Sequence, residues 1–485
     1  MRHRKKTSAD RFVNPDFQAI LAILRKCRHI RLIESRQPSL IPARNPYRAI
    51  LRRDYPEPLI ALLAFVLGIW LWDQYFGKPE GYAPGTEEIA LVKIDRDLRL
   101  ADAMSGDPEW LRWMAGVEDP AIVRETSLAA LEKLAADGSM SAAGLETYGI
   151  LKSEHEGKPM REVLAETMQG QVTTDFAEIS RALAQHGGTW WHARRVAELE
   201  KEITSVAEWR STYDADSRQL RSRAILARSW VWLLGLAGMA FIPRTLKLLA
   251  RGLGARPGGY SAAWPLTLGM VVFLVSTLAW IGFTLTLDIG IGTLPGLHPL
   301  AGILLDSAAR LLPALIALGL LFRRPSHAMR VLGLGPSLAP TAIVGMFSLL
   351  MIVDVLLRAF IGGGDPTEPG GGLSAGETGL WGLAFALVSA CLLAPLAEEI
   401  LYRGVLFRSL WVRLGVLPAA ILSSAVFAVL HFYDGYGLAS VGVFGFACAL
   451  LYAATGSLTS CITLHLLYNT AIILPEWWVY HGAFG

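Results

Sequence analysis

The chain has 485 residues, 53% of them hydrophobic and 18% charged, with a formal net charge of +3. Apolar runs recur near the ~20-residue length that spans a hydrocarbon core, which excludes an ordinary soluble enzyme and indicates a multipass membrane protein. The charge is uneven, because residues 1–57 are rich in Arg and Lys while residues 77–225 lean acidic.

A basic block directly before a membrane span reads as a cytosolic leader on anionic lipid, not as a nucleic-acid arm. It lacks an apolar stretch followed by a small-residue cleavage site, so the first span is expected to be a retained anchor. Nine spans are expected, at about 58–76, 229–249, 264–288, 299–322, 340–361, 380–402, 416–433, 438–455 and 458–475. Basic residues cluster after span two (Arg244, Lys247, Arg251, Arg256), span four (Arg323, Arg324, Arg330) and span six (Arg403, Arg408, Arg413), whereas the opposite loops carry Asp288, Asp365, Glu368 and Glu377. This asymmetry puts the N-terminus in the cytosol and residues 77–225 outside, in a bacterial cytoplasmic membrane. Four cysteines, Cys27, Cys391, Cys448 and Cys461, form no CxxC or Cys/His zinc spacing.

The expected fold is all-α, a membrane helix bundle with an extracytoplasmic helical domain between spans one and two. Within that domain, Asp119-Pro120 opens a helix that closes at Gly138. From Thr189 to Arg223 there is no Gly or Pro, and Val196, Leu199, Ile203, Val206, Tyr213 and Leu220 recur at helical or heptad spacing. A stalk running straight into span two is expected there. The Gly-rich stretch 362–379 is a connector. Asp306 and Arg310, and Asp354 and Arg358, are each four apart with the acid first, so each pair can close on its own helix and lower its cost in lipid.

Three clusters remain: APLAEEILYRG with Glu398, Glu399 and Arg403; SSAVFAVLHF with Phe427 and His431; TLHLLYN with His465 and Asn469. Glu399 precedes Arg403 by four residues and can pair with it, which turns Glu398 elsewhere, since successive helix positions differ by about 100°. His465 and Asn469 are four apart and project together. The three clusters reach a common depth only if the sixth helix continues through RGVLFRSLWVRL to a turn near Gly415. A carboxylate can take a proton from water, histidines can assist it or bind metal, and Asn and His can donate to an oxyanion.

EExxxR, FxxxH and HxxxN in this order on successive apolar helices resemble the CAAX prenyl endopeptidase and bacteriocin-processing (CPBP, or Abi) family of intramembrane proteases. The resemblance covers residues 340–475. It implies an intramembrane endopeptidase in which Glu398 activates water with help from His431, and His465 and Asn469 stabilise the tetrahedral oxyanion. Glu399 and Arg403 then hold the site in shape and Phe427 packs beside it. It also admits a metalloprotease reading, with a divalent metal such as zinc on Glu398, His431 and His465; the metal-free version leaves Glu399 to Arg403. The substrate is expected to be a membrane-anchored or exported protein, the 77–225 domain either recruits it or only stabilises the assembly, and the other partner is membrane lipid. The implied organisation is a leader (1–57), a first span (58–76), the helical domain (77–225), accessory membrane helices (226–339), a protease core (340–475) and a tail (476–485). Two readings from other classes use the same charges: a proton- or ion-coupled transporter, which calls for repeats that the sequence lacks, and a non-catalytic immunity or scaffold protein.

Overall fold

The computed structural model describes residues 60–68, 86–136, 140–168, 190–191, 193–194, 206–254, 264–291, 299–335, 337–361, 379–431 and 435–481, all within one compact unit, 56–485. Every regular element among them is helical. The basic leader, the connector at 362–378 and most of the expected first span lie outside the described residues; of that span only 60–68 is described, as helix.

Among the described residues, five helices lie between the first two expected spans: α1 (Thr86–Ala103), α2 (Glu109–Ala115), α3 (Pro120–Ala136), α4 (Ala142–Glu156) and α5 (Met160–Thr167). Local chemistry sets their ends. Asp119 accepts the Ala121 amide at 2.9 Å ahead of Pro120, and Ser141 accepts the Gly144 amide at 3.2 Å, each satisfying an orphan donor of a first turn. Their apolar faces close on Leu98, Leu131, Ile150, Leu151, Leu164 and Trp190. Asp102 ties this core together, accepting Trp190 Nε1 at 2.7 Å and Arg194 at 2.8 Å and pairing with Arg124.

The stalk is α6 (Val206–Met239), continuous from the domain into apolar sequence as expected. It does not complete span two in one line. The chain bends by 67° into α7 (Ile242–Leu253), whose Arg244, Lys247 and Arg251 recur on one side and favour a polar boundary over lipid. The membrane region continues with α8 (Leu266–Ile291), α9 (Pro299–Leu321), the short α10 (Pro325–Leu332), α11 (Pro340–Ile361), α12 (379–414), α13 (Val416–Val429), α14 (Gly435–Thr455) and α15 (Leu458–His481). Among the described residues, six helices are long and apolar enough to cross a membrane, or seven if the bent pair α6/α7 is one span. The expected nine are not confirmed: most of span one lies outside the described residues, and α13 has 14 residues, about 21 Å of helix against a hydrocarbon core of about 30 Å.

The sixth expected span is longer than its apolar composition suggested. Helix α12 runs unbroken through Arg403 and Arg408, with π-helical turns over Ala386–Leu393 and Glu399–Phe407 on either side of the α-helical Ala394–Glu398. Arg403 and Arg408 are buried within it, and are not the loop charges that the orientation argument took them to be. Arg408 donates to Val331 O and to Tyr452 Oη, so partners inside the bundle replace the water that a loop arginine would have. Helix α15 extends to His481, through most of the expected tail.

Close approach fixes the other helix pairs. A Cβ on Gly238 of α6 would lie 2.0 Å from Ser348 Oγ of α11, and that hydroxyl donates to Gly235 O at 2.6 Å. Both expected intrahelical pairs form: Arg310 Nε to Asp306 Oδ2 at 2.6 Å, and Arg358 Nε to Asp354 Oδ2 at 3.0 Å. Each acid also takes a hydroxyl from another helix, Ser389 of α12 on Asp306 and Tyr436 of α14 on Asp354.

Candidate active site

Four helices bring the three sequence clusters to one place. Helix α12 carries Glu398, Glu399 and Arg403; α13 carries Phe427 and ends before His431; α15 carries His465 and Asn469; α14 closes the back with Phe444 and Gly445. The wide turns of α12 at Glu399–Phe407 leave the carboxylates on the face toward α13 and α15. π-turns are rare and concentrate where a side chain must be re-aimed.

Glu399 is the centre of the cluster. It is fully buried, and its Oε1 accepts both Arg403 Nη1 and His465 Nδ1, each at 2.9 Å. The first contact is the intrahelical pair read from the sequence. The second crosses from α12 to α15 and has no sequence signal, because it depends on how two helices far apart in the chain dock. It turns His465 Nε2 toward Glu398, whose Oε2 is 3.7 Å away. That gap is too long for a direct hydrogen bond, but one water can bond both atoms. Glu398 is partly exposed, whereas His465 and Glu399 are sealed. The two adjacent carboxylates therefore differ in setting: one is partly exposed and the other is locked in the wall.

His431 Nδ1 lies 2.6 Å from Phe427 O. A carbonyl only accepts, so the proton sits on Nδ1 and Nε2 is the basic nitrogen. Glu398 is within electrostatic reach of this ring. Phe427 holds the set together: Arg403 Cζ lies over its face at 4.4 Å, His431 meets its edge at 4.5 Å and Tyr402 at 4.8 Å. A desolvated guanidinium over an aromatic face contributes roughly 2 kcal/mol. Phe444, which the sequence reading did not single out, packs on His465 at 4.6 Å. Gly445 was missed as well, although a glycine inside an apolar helix is a sign of close approach; a Cβ there would meet Arg403 Nη2 at 3.0 Å and Phe427 Cδ1 at 3.1 Å.

Asn469 stands apart from the carboxylates. Its Nδ2 donates to Ala390 O of the upper π-turn at 2.8 Å, which commits one of its two amide hydrogens and leaves the second for a ligand. The neighbouring Ser389 is the residue that bonds Asp306 of α9. Among the described residues, no three His, Cys, Asp or Glu side chains are arranged to hold a metal ion. Glu398, His431 and His465 are not such a group, although the bonds of their Nδ1 atoms to Phe427 O and Glu399 are of the kind that commonly orients a metal-ligating histidine.

The arrangement defines a helical integral membrane protein with a carboxylate and histidine cluster sunk in its interior. Residues 380–471 match the family described as "Rce1-like: Type II CAAX prenyl endopeptidase Rce1-like", and all three motif clusters, with their resemblance to the CPBP family, fall inside this range. The chain is also 30% identical over 90 residues to the "Putative membrane peptidase YdiL" of Bacillus subtilis (strain 168), an alignment that covers 19% of this chain and 36% of that protein. The chain thus spans about a third of the length of the curated relative it matches. No solved structure matches.

Proposed function

We propose that the protein is an intramembrane endopeptidase that hydrolyses a peptide bond of a membrane-anchored or exported protein. The observation that carries this reading is His465 held by buried Glu399 on one nitrogen while its other nitrogen is turned to the partly exposed Glu398. A scaffold needs no second carboxylate in lipid, where it would cost roughly 2.5–3.5 kcal/mol.

In this mechanism a water between Glu398 and His465 gives a proton to the Glu398 carboxylate as its oxygen attacks the scissile carbonyl. The C=O electron pair moves onto oxygen. His465 Nε2–H, in the protonated ring, and the second Nδ2 hydrogen of Asn469 donate to that oxyanion. Collapse breaks the C–N bond, and protonated Glu398 passes its proton to the leaving amine. His431 Nε2 accepts a hydrogen bond from the water and orients it. Glu399 and Arg403 do not touch the substrate; they fix His465 and the wall. No step uses a metal. The chain sits in the bacterial cytoplasmic membrane with its N-terminus in the cytosol, on the support of the basic leader and of the basic loops after spans two and four.

The test compares membrane-protein termini by mass spectrometry in a deletion strain complemented with wild type or Glu398→Gln. New termini made only by wild type are the expected result. Equal termini from two stably inserted proteins would remove Glu398 from the chemistry and return the buried charges to the transport or scaffold readings. Cleavage by purified enzyme is expected to survive a strong zinc chelator; loss with recovery on zinc addition would restore the metal reading.

A further inference from the structure

Helix α2 has two apolar faces. Leu111 and Ala115 point into a small core with Leu100, Met104, Val117, Leu220, Ala224 and Ala227. Trp110 and Trp113, three residues apart and so on one face, point outward and are 64% and 45% exposed. Tryptophan is seldom left open on a water-facing surface, and two in a seven-residue helix form a patch that calls for a partner.

The position of α2 on the stalk says what the partner is. Trp113 packs on Trp232 of α6 with centroids 4.9 Å apart and ring planes tilted by 39°, and Trp232 Nε1 donates to Met114 O at 2.9 Å. Below Trp232, α6 turns Leu233, Leu236 and Met239 outward with no charge as far as the bend; above it come Arg228, Arg223, Arg221 and Arg218. The contact of Gly235 with Met351 and of Gly238 with Ser348 sets α6 against α11. From Pro340 at the far end of α11, Met351 is then about 17 Å along, the level of Trp232 about 21 Å, and that of Arg228 about 27 Å, against a hydrocarbon core of about 30 Å. Helix α15 gives the same level independently. Its Val479 joins the α2 core, and the adjacent Trp478 is 41% exposed.

We infer that α2 is an in-plane anchor, with Trp110 and Trp113 seated in the headgroup boundary of the lipid leaflet on the domain side. Together with Trp232 and Trp478 they make one aromatic belt, the arrangement that interfacial tryptophans favour. Polar contacts at the edge of this small core hold the helix at this height. Arg221 bonds both Asp107 oxygens, at 2.6 and 2.5 Å, and Arg112 donates to Asp107 O at 2.7 Å and to Asp119 at 3.0 Å. The domain is therefore attached to the bilayer surface by its own helix as well as by the stalk. This inference does not depend on the protease reading.

The experiment places nitroxide labels on the full chain in phosphatidylcholine/phosphatidylglycerol vesicles, in a Cys27→Ser background in which the remaining native cysteines are buried. Trp110→Cys and Trp113→Cys are compared with Leu233→Cys on the stalk and with exposed Glu125→Cys on α3. The expected result is that labels at 110 and 113 collide with oxygen more than with a water-soluble nickel chelate, as at 233, and that 125 shows the reverse. Labels at 110 and 113 that behave like 125 would overturn the anchor. So would spin–spin broadening between copies at these sites, which would make a second protein molecule the occupant. Trp110 lies outside the Trp113–Trp232 pair, so its label reads the surface even if replacing Trp113 disturbs the fold.

Discussion

Glu398 and Glu399 are neighbours in sequence with opposite environments, and their substitutions should separate chemistry from stability. Glu398→Gln removes the proposed base at a partly exposed site, so cleavage is expected to vanish while thermal unfolding in detergent changes by less than about 1 kcal/mol. Glu399→Gln leaves Arg403 as an uncompensated charge in the bundle and is expected to cost about 3–5 kcal/mol of stability, read as a marked fall in Tm. Equal Tm values for the two variants would contradict the assignment of Glu399 to the wall. The sequence showed the Glu399 to Arg403 pair because its spacing is local. It did not show that the same oxygen takes His465 Nδ1, since that contact joins elements 66 residues apart, and periodicity carries no information about docking.

Among the elements, α12 was legible in type, and in length only through the requirement that the three clusters meet. Its arginines look like the end of a span in any hydropathy reading, yet they continue the helix because Glu399, Phe427, Val331 and Tyr452 supply partners at depth. Convergence of the three clusters required a sixth helix reaching Gly415, and α12 does end at Leu414. Its π-turns carry no composition signal. The upper one exposes Ala390 O to Asn469 and is held from α9 by the Ser389 to Asp306 bond. Ser389→Ala should loosen this support at the cost of one hydrogen bond, roughly 1 kcal/mol, and lower kcat by about fivefold with KM nearly unchanged. An unchanged kcat would show that Asn469 is placed without help from α9.

At the scale of the whole molecule, the helical domain and its stalk were legible from caps and helical spacing, while the count of spans was not. Composition marks apolar runs, but it does not reveal the bend at α6/α7 or that α13 has only 14 residues. The domain should respond to pH in two opposite ways. Burial pushes the Asp95 carboxyl up to about 6 from its ordinary 3.8, opposed by its bond to the Trp190 amide. The folded domain therefore binds a proton more readily than the unfolded chain, and this group's penalty grows as pH rises from about 3.8 to about 6 and stays constant above. Asp95→Asn, which keeps an acceptor for Trp190, is expected to raise domain stability by up to about 3 kcal/mol at pH 7.5 and by little at pH 3.5; a gain independent of pH would contradict the burial account. Asp107 is held below the usual carboxylate range by its hydrogen bond to Arg221, so its contribution to seating α2 on the stalk is present above about 3.8 and is lost as pH falls below that. The protection of the α2 amides, measured against their intrinsic exchange rate at each pH, should fall in acid, and Arg221→Ala should abolish that acid step. Helix α15 carries His465 and Asn469 in the bundle and Val479 in the base of the domain, with Pro475 between them. Proline deprives the helix of one amide and gives it a built-in pivot. One helix thus joins the base of the domain to the bundle that holds His465 and Asn469, and the amide that Pro475 lacks falls between the two, where a bend costs the helix least.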